Sequence, residues 1–221
     1  MDQFTRITKL LENKTVCLVG NSVEMLDHDN AEYIDGHDVV IRLGRGIPHK
    51  HTEHIGKKMD IWATGFLRHG TWKKFPESWK DTPVLLNRTR MNLNSARSLD
   101  IELPHCTMFS DDELLEVYEE FGYVNNELLG RPSNGFIVLL WLIRKAWVWN
   151  KLTLIGFDFF SKQAPFQVGQ QNPYSWHLPK NTTDTIPHNV AIEKEFVLEL
   201  ANEGIIHWEI LSDLEDEVLE F

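Results

Sequence analysis

Three short segments carry residue types that could do chemistry on a phosphorylated ligand. The first is Val16-Cys17-Leu18-Val19-Gly20-Asn21-Ser22, followed by Ile34-Asp35-Gly36-His37-Asp38-Val39-Val40-Ile41-Arg42. If the apolar run is a buried strand, Gly20, Asn21 and Ser22 bring backbone N–H groups and two polar side chains to the carboxyl edge of a sheet. Ligands bind at that edge in open α/β folds. An ordinary Gly-Asn turn would read the same way. The second segment is Arg131-Pro132-Ser133-Asn134-Gly135, ahead of the apolar run Phe136 to Ile143. A helix opening there offers four unpaired backbone donors and the positive end of its dipole, a ready anion site. Capping alone would also explain Ser133. The third is His177, then His188-Asn189-Val190-Ala191-Ile192-Glu193. An imidazole titrates near neutrality and suits removal of a proton from an attacking hydroxyl. Among ten histidines, a capping or surface role is the competing explanation.

Other clusters point elsewhere. Asp27-His28-Asp29 has the form of a metal-binding Asp-x-Asp, but it falls a helical turn or two beyond Gly20-Asn21-Ser22 instead of at a strand end. His49, His51 and His54 have a spacing that could ligate a transition metal, without cysteines to complete a set. No metal site is expected from either. Trp62, Trp72 and Trp79 are interleaved with Lys57, Lys58, Arg68, Lys73, Lys74 and Lys80. Such aromatics serve as core, as platforms for sugar faces, or as base-stacking groups among cations.

These residues need a scaffold, and strand and helix signals alternate along the chain. Strands are predicted at 15–19, 38–42, 60–64, 83–86, 152–157 and 205–211. An amphipathic helix is expected over Met1 to Lys14. A second starts after Ser110, which with Glu113 has the form of a capping box. A third, apolar almost all round and therefore buried, is expected from Ser133 to Trp149. A fourth runs from about His188 to Glu203 and stops at Gly204. Strands separated by helices predict a mostly parallel sheet flanked by helices, a Rossmann-like three-layer α/β fold in one domain over residues 1–221. The polar stretch 161–187 reads as a lid over the site.

The chain has 221 residues, 42 % of them hydrophobic, an ordinary globular balance with no membrane-length apolar run and no secretory signal. A soluble, cytoplasmic protein with Cys17 and Cys106 as reduced thiols is expected. The net charge of −11 is unevenly spread: residues 42–97 carry twelve Lys/Arg against four acids, and the tail 209–221 has six acids and no base. A basic face that receives an anion follows from such asymmetry, as does a merely solvated mixed-charge surface.

Taken together and in order, the three segments resemble glycosyltransferase family 29, the eukaryotic-type sialyltransferases. Cys17 to Ser22 with Ile34 to Arg42 is similar to the family's large motif. Pro132-Ser133-Asn134-Gly135 leading to Ile155-Gly156-Phe157 is similar to its small motif, and His188 with Glu193 to its last. The resemblance implies a variant of the GT-A sialyltransferase-like fold. It implies an inverting, metal-independent transfer from a CMP-activated or other nucleotide-sugar donor to a hydroxyl, with no further cofactor. Gly20, Asn21, Ser22, Arg42, Ser133, Asn134 and Gly135 would hold the donor. His188 would be the general base, His177 would meet the leaving phosphate, and Glu193 would orient His188 if that histidine precedes the first helical turn. The sequence departs from the family pattern at Gly44, where an Asn is usual, at Trp176-His177-Leu178, where a His-Tyr pair is usual, and at Ala146, where the partner of the large-motif cysteine is usual. These departures suggest a short cytosolic relative, bacterial or viral, whose acceptor is a glycan or a lipid-linked sugar. Two other functions fit the same residues: sugar transfer onto a hydroxymethylated base in viral DNA, and a non-catalytic polyanion-binding module.

Overall fold

A computed structural model describes residues 2–44, 46–48, 51–64, 81–87, 105–123, 132–159 and 189–210. Seven strands form one sheet: β1 (Thr15–Val19), β2 (Val39–Leu43), β3 (Ile61–Thr64), β4 (Val84–Leu86), β5 (His105–Thr107), β6 (Lys151–Ile155) and β7 (His207–Glu209). Their order is β5-β4-β3-β2-β1-β6-β7 and every neighbouring pair is parallel. β1 is therefore central. Strands 2 to 5 wind away from it on one side, and strands 6 and 7 on the other.

Alternation of side chains assigns the two faces. Val16, Leu18, Ile41, Ala63, Leu85 and Leu154 join one large core, while Cys17, Val19, Val40 and Ile155 join another on the opposite face. On the second face lie a 3-10 turn at Val23–Leu26 and the short helices α2 (Ala31–Asp35) and α3 (Thr52–Ile55). The first face carries α1 (Gln3–Leu11), α4 (Asp111–Glu120), α5 (Asn134–Arg144) and α6 (Val190–Asn202). Both faces are covered, which explains why β1 and β2 are apolar at nearly every position.

Local chemistry sets each helix start. Asp2 caps α1 by accepting from the Thr5 backbone N–H at 2.9 Å. Ser110 and Glu113 form the reciprocal capping box of α4. Ser133 caps α5, accepting from Phe136 N–H at 3.1 Å. α5 is the central buried helix, with every residue from Gly135 to Leu142 buried. It ends at Arg144, five residues short of the expected Trp149. Lys145 and Ala146 N–H both turn back to the Trp141 carbonyl, and the Val148 carbonyl is taken by Asn13 N–H at 2.7 Å. The aromatic stretch at 147–149 thus braces the α1–β1 connection. α6 begins at Val190 after its cap Asn189, and Gly204 with φ +71° stops it.

Cys17 and Cys106 are buried free thiols that belong to the cores on opposite faces of the sheet. No described helix is long and apolar enough to cross a membrane.

Candidate active site

The carboxyl ends of β1, β2, β3 and β6 meet the amino end of α5, and six of the residues expected from sequence to face a ligand lie at or beside this junction. Gly20 leaves β1 in contact with β6: its N–H donates to the Ile155 carbonyl at 2.8 Å, and Ser22 N–H donates to the Gly156 carbonyl at 3.1 Å. The strands come so close that a Cβ at Gly20 would sit 2.1 Å from the Gly156 oxygen. Only glycine fits there.

Asn21 reaches over β2. Its Nδ2 donates to the Leu43 carbonyl at 3.2 Å, which fixes the amide orientation because a carbonyl can only accept. Its Oδ1 is buried, abuts Gly46, and has no hydrogen-bond partner among the described residues. Asn134, in the first turn of α5, repeats the arrangement one strand further on. Its Nδ2 donates to the Ala63 carbonyl at the end of β3 at 3.3 Å, and its Oδ1 is likewise buried and without a donor among the described residues. Two acceptor oxygens from segments far apart in sequence are thus held at one sheet edge.

Gly135 brings α5 down onto this edge. A Cβ there would be 2.7 Å from Phe157 Cε1 and 3.2 Å from Leu43 Cδ1. The first-turn N–H groups of α5 have no partners within their helix, and its first turn contains no acid. Ser133 N–H, by contrast, donates to Glu193 Oε1 at 2.7 Å.

Glu193 was expected to orient His188. In the structure it is 2 % exposed, and the same Oε1 also accepts from the Tyr123 hydroxyl at 3.0 Å. Burial raises its carboxyl above the usual range, opposed by the hydrogen bonds from Ser133 and Tyr123. It ties α6 and the residues after α4 to the cap of α5. The cap of α6 is Asn189, so residue 188 immediately precedes it, before the first helical turn. His188 and His177 themselves lie outside the described residues, as does the proposed lid at 161–187.

Arg42 is not at the edge. It is 1 % exposed on the second face, where Nε donates to the Lys58 carbonyl at 3.0 Å and Nη2 to the Ile55 carbonyl at 2.6 Å, with Asp35 at 3.9 Å. Period-two alternation puts it on the same face as Val40, so its guanidinium braces the loop entering β3.

Ser22 shows a partner that sequence reading missed. Its Oγ donates to Asp158 Oδ2 at 3.1 Å and accepts from Glu24 N–H at 3.2 Å. Asp158 follows the strand-end Gly156-Phe157, and its carboxylate at the exit of β6 was the signal available.

The remaining clusters fall elsewhere. His54 Nδ1 donates to the His28 carbonyl at 3.2 Å and lies 3.4 Å from Asp29 Oδ1, an exposed contact that holds α3 against the 3-10 turn. Among the described residues no group of three His, Cys, Asp or Glu side chains could hold a metal. His49, Trp72 and Trp79 lie outside the described residues. Trp62 is buried and donates to the Gly44 carbonyl at 2.7 Å, so it belongs to the core.

No protein-family model matches the chain, and no curated protein matches it in sequence. Solved structures do match in shape. A mammalian sialyltransferase in complex with Gal-beta-1-3GalNAc-ortho-nitrophenol superposes with a TM-score of 0.58 at 14 % identity, over 91 % of this chain and 71 % of that one. A second structure of a mammalian sialyltransferase gives 0.58 at 15 % identity, over 93 % and 77 %. The chain shares their fold.

Proposed function

We propose that this chain is a glycosyltransferase that moves a sugar from a nucleotide-activated donor, CMP-linked foremost, to a hydroxyl of a glycan acceptor, without a metal. One observation carries the reading. Asn21 and Asn134 spend their amide N–H groups on the carbonyls that end β2 and β3, and each leaves a buried oxygen beside the amino end of α5. A buried acceptor without a donor costs about 1–3 kcal/mol. A ligand that offers N–H or O–H groups and also carries phosphate relieves that cost and uses the helix dipole. A nucleotide has both. The sialyltransferase fold of the structural neighbours supports the same class of reaction.

In this reaction His188 takes the proton from the acceptor hydroxyl, and the oxygen attacks the anomeric carbon of the donor sugar. The bond from that carbon to the phosphate oxygen breaks, and the nucleotide departs with the bonding pair. The amino end of α5 receives the growing negative charge, and a protonated His177 assists from the chain after β6. Reduced thiols and a cytosolic setting complete the proposal.

Thermal-shift measurements with CMP, UDP and GDP test donor binding, because a ligand of the folded state raises the melting temperature. His188→Ala is expected to abolish turnover and leave nucleotide affinity nearly unchanged. Unaltered turnover in that variant removes the base assignment, and the absence of any nucleotide shift removes the transferase.

A further inference from the structure

The amino edge of the sheet, opposite the candidate site, carries a feature that the transfer chemistry does not use. Trp147 is 55 % exposed, whereas Trp62, Trp141 and Trp149 are buried and Trp208 is partly buried. A hydrogen bond from Val148 N–H to the Ala146 carbonyl at 2.8 Å makes a three-residue turn with Trp147 at its tip. The ring is held there. It lies parallel to the ring of Trp149, at an interplanar angle of 3° and a centroid separation of 5.6 Å, an offset-stacked arrangement. Trp149 donates its indole N–H to the Leu142 carbonyl at 3.3 Å, so the stack is anchored to α5.

We infer that the open face of Trp147 is a platform for a glycan, separate from the transfer site, on which one pyranose ring stacks. The face of an indole ring is negative. A pyranose turns a row of C–H groups, apolar and slightly positive, out of one side of its ring and keeps its hydroxyls at the rim. Groups that meet such hydroxyls stand beside the tryptophan. Asn13 N–H donates to the Val148 carbonyl at 2.7 Å, and Asn150 N–H donates to the Lys14 carbonyl at 2.9 Å. These two bonds zip the turn before β1 to the turn before β6. Asn13, Asn150 and Lys151 are exposed on them. Two amides and an ammonium group both donate to and accept from a polyol.

Other occupants fit these surroundings less well. A stable protein interface covers about 800 Å² on each side, whereas the exposed apolar neighbours of Trp147 on the two segments are Leu10 and Val148, set among the polar groups just named. An anionic bilayer attracts clusters of Lys and Arg; this chain has a net charge of −11, and Glu12 is exposed beside Asn13. Position keeps the platform apart from the transfer site. β1 is five residues long and separates this edge from Gly20 by about 16 Å. A glycan held at the amino edge therefore leaves the carboxyl edge free, and the platform keeps the protein on a glycan-bearing carrier. The inference goes beyond the transferase reading and involves no nucleotide.

Heteronuclear NMR of the full chain reads each tryptophan indole N–H separately, and Trp147→Phe assigns its signal by deleting it. Titration without nucleotide, using chitohexaose, tri-N-acetyllactosamine and a galacturonic acid oligomer, is expected to shift the Trp147 signal with at least one of them. By calorimetry, Trp147→Ala is expected to weaken that binding by about tenfold or more, and Trp147→Phe, which keeps a ring, by no more than about threefold. If no oligosaccharide moves the Trp147 signal of the wild-type protein, the inference is overturned. It is overturned equally if Trp147→Ala binds as tightly as wild type, because the sugar is then held elsewhere. It also falls if the signal responds instead to phosphatidylcholine–phosphatidylglycerol vesicles, a membrane contact, or to protein concentration alone, a contact with a second copy. The thermal shift with nucleotides is measured separately, so the transferase reading stands or falls on its own result.

Discussion

Glu193 offers a substitution whose two versions should behave very differently. Its carboxylate is buried, and both of its donors, Ser133 N–H at 2.7 Å and Tyr123 hydroxyl at 3.0 Å, converge on Oε1. Glu193→Ala leaves both donors buried and unpaired, at about 1–3 kcal/mol each, and opens a cavity. A loss of about 2–5 kcal/mol in unfolding free energy is expected. Glu193→Gln keeps an acceptor oxygen in the place of Oε1, so both bonds survive and the loss stays within about 1 kcal/mol. Tyr123→Phe alone should cost about 1 kcal/mol, and in Glu193→Ala/Tyr123→Phe one orphaned donor disappears. The double variant should therefore be about 1–2 kcal/mol more stable than the sum of the singles predicts.

Urea denaturation reads all four proteins. The same series has a pH signature. Burial raises the folded-state pKa of Glu193 above its ordinary value of 4.5, so the folded state holds the proton more tightly than the unfolded chain. The associated stability is fully present below 4.5 and is lost as pH rises through the folded value. Glu193→Gln should abolish this slope. Nucleotide affinity should follow stability, falling in the Ala variant as the cap of α5 loosens and holding in the Gln variant. If Gln proves as damaging as Ala, the second oxygen does the work and the anchoring role is wrong.

Two further outcomes follow from the packing. Gly135→Ala places a methyl 2.7 Å from Phe157 Cε1 and 3.2 Å from Leu43 Cδ1, lifting α5 from the sheet edge; calorimetry should show nucleotide affinity reduced at least tenfold, about 1.4 kcal/mol, and an unchanged affinity would mean that α5 does not hold the phosphate. Burial pushes the Cys17 thiol up to about 12 and raises Cys106 as well; a thiol reagent at pH 8 should label neither cysteine in the native protein and both after denaturation, and rapid native labelling would contradict the burial.

The motifs that are contiguous in sequence were legible, and those made by long-range contact were not. The apolar run 15–19 and the Gly-Asn-Ser that follows announced β1 and its exit, and Ser133 announced α5, because each is decided by neighbours in the chain. β5 is hard to delimit from its pattern: three residues, His105 to Thr107, are too few to show a period. The early end of α5 depends on Asn13, far away in sequence, taking the Val148 carbonyl. The resemblance pairs Glu193 with His188, while among the described residues its donors come from positions 123 and 133, out of reach of any local pattern. The resemblance gave Arg42 a ligand role as the end of the large motif; strict alternation from Val40 directs it to the second face of the sheet. The Ser22–Asp158 contact joins residues 136 apart in sequence, so only the carboxylate at the exit of β6 hinted at it.

The placement of β1 between β2 and β6 has a consequence for how the protein is made. Residues 15–19 leave the ribosome well before their partner on one side, residues 151–155, which follows only after more than a hundred further residues. At about 5–20 residues per second, that flank of β1 stays uncovered for roughly ten seconds. An apolar strand with an open edge is a template for intermolecular pairing. Chains truncated before residue 151 should therefore precipitate or recruit chaperones. Because Gly20 and Ser22 have no strand to bond with until β6 docks, such fragments should gain no protection from nucleotide.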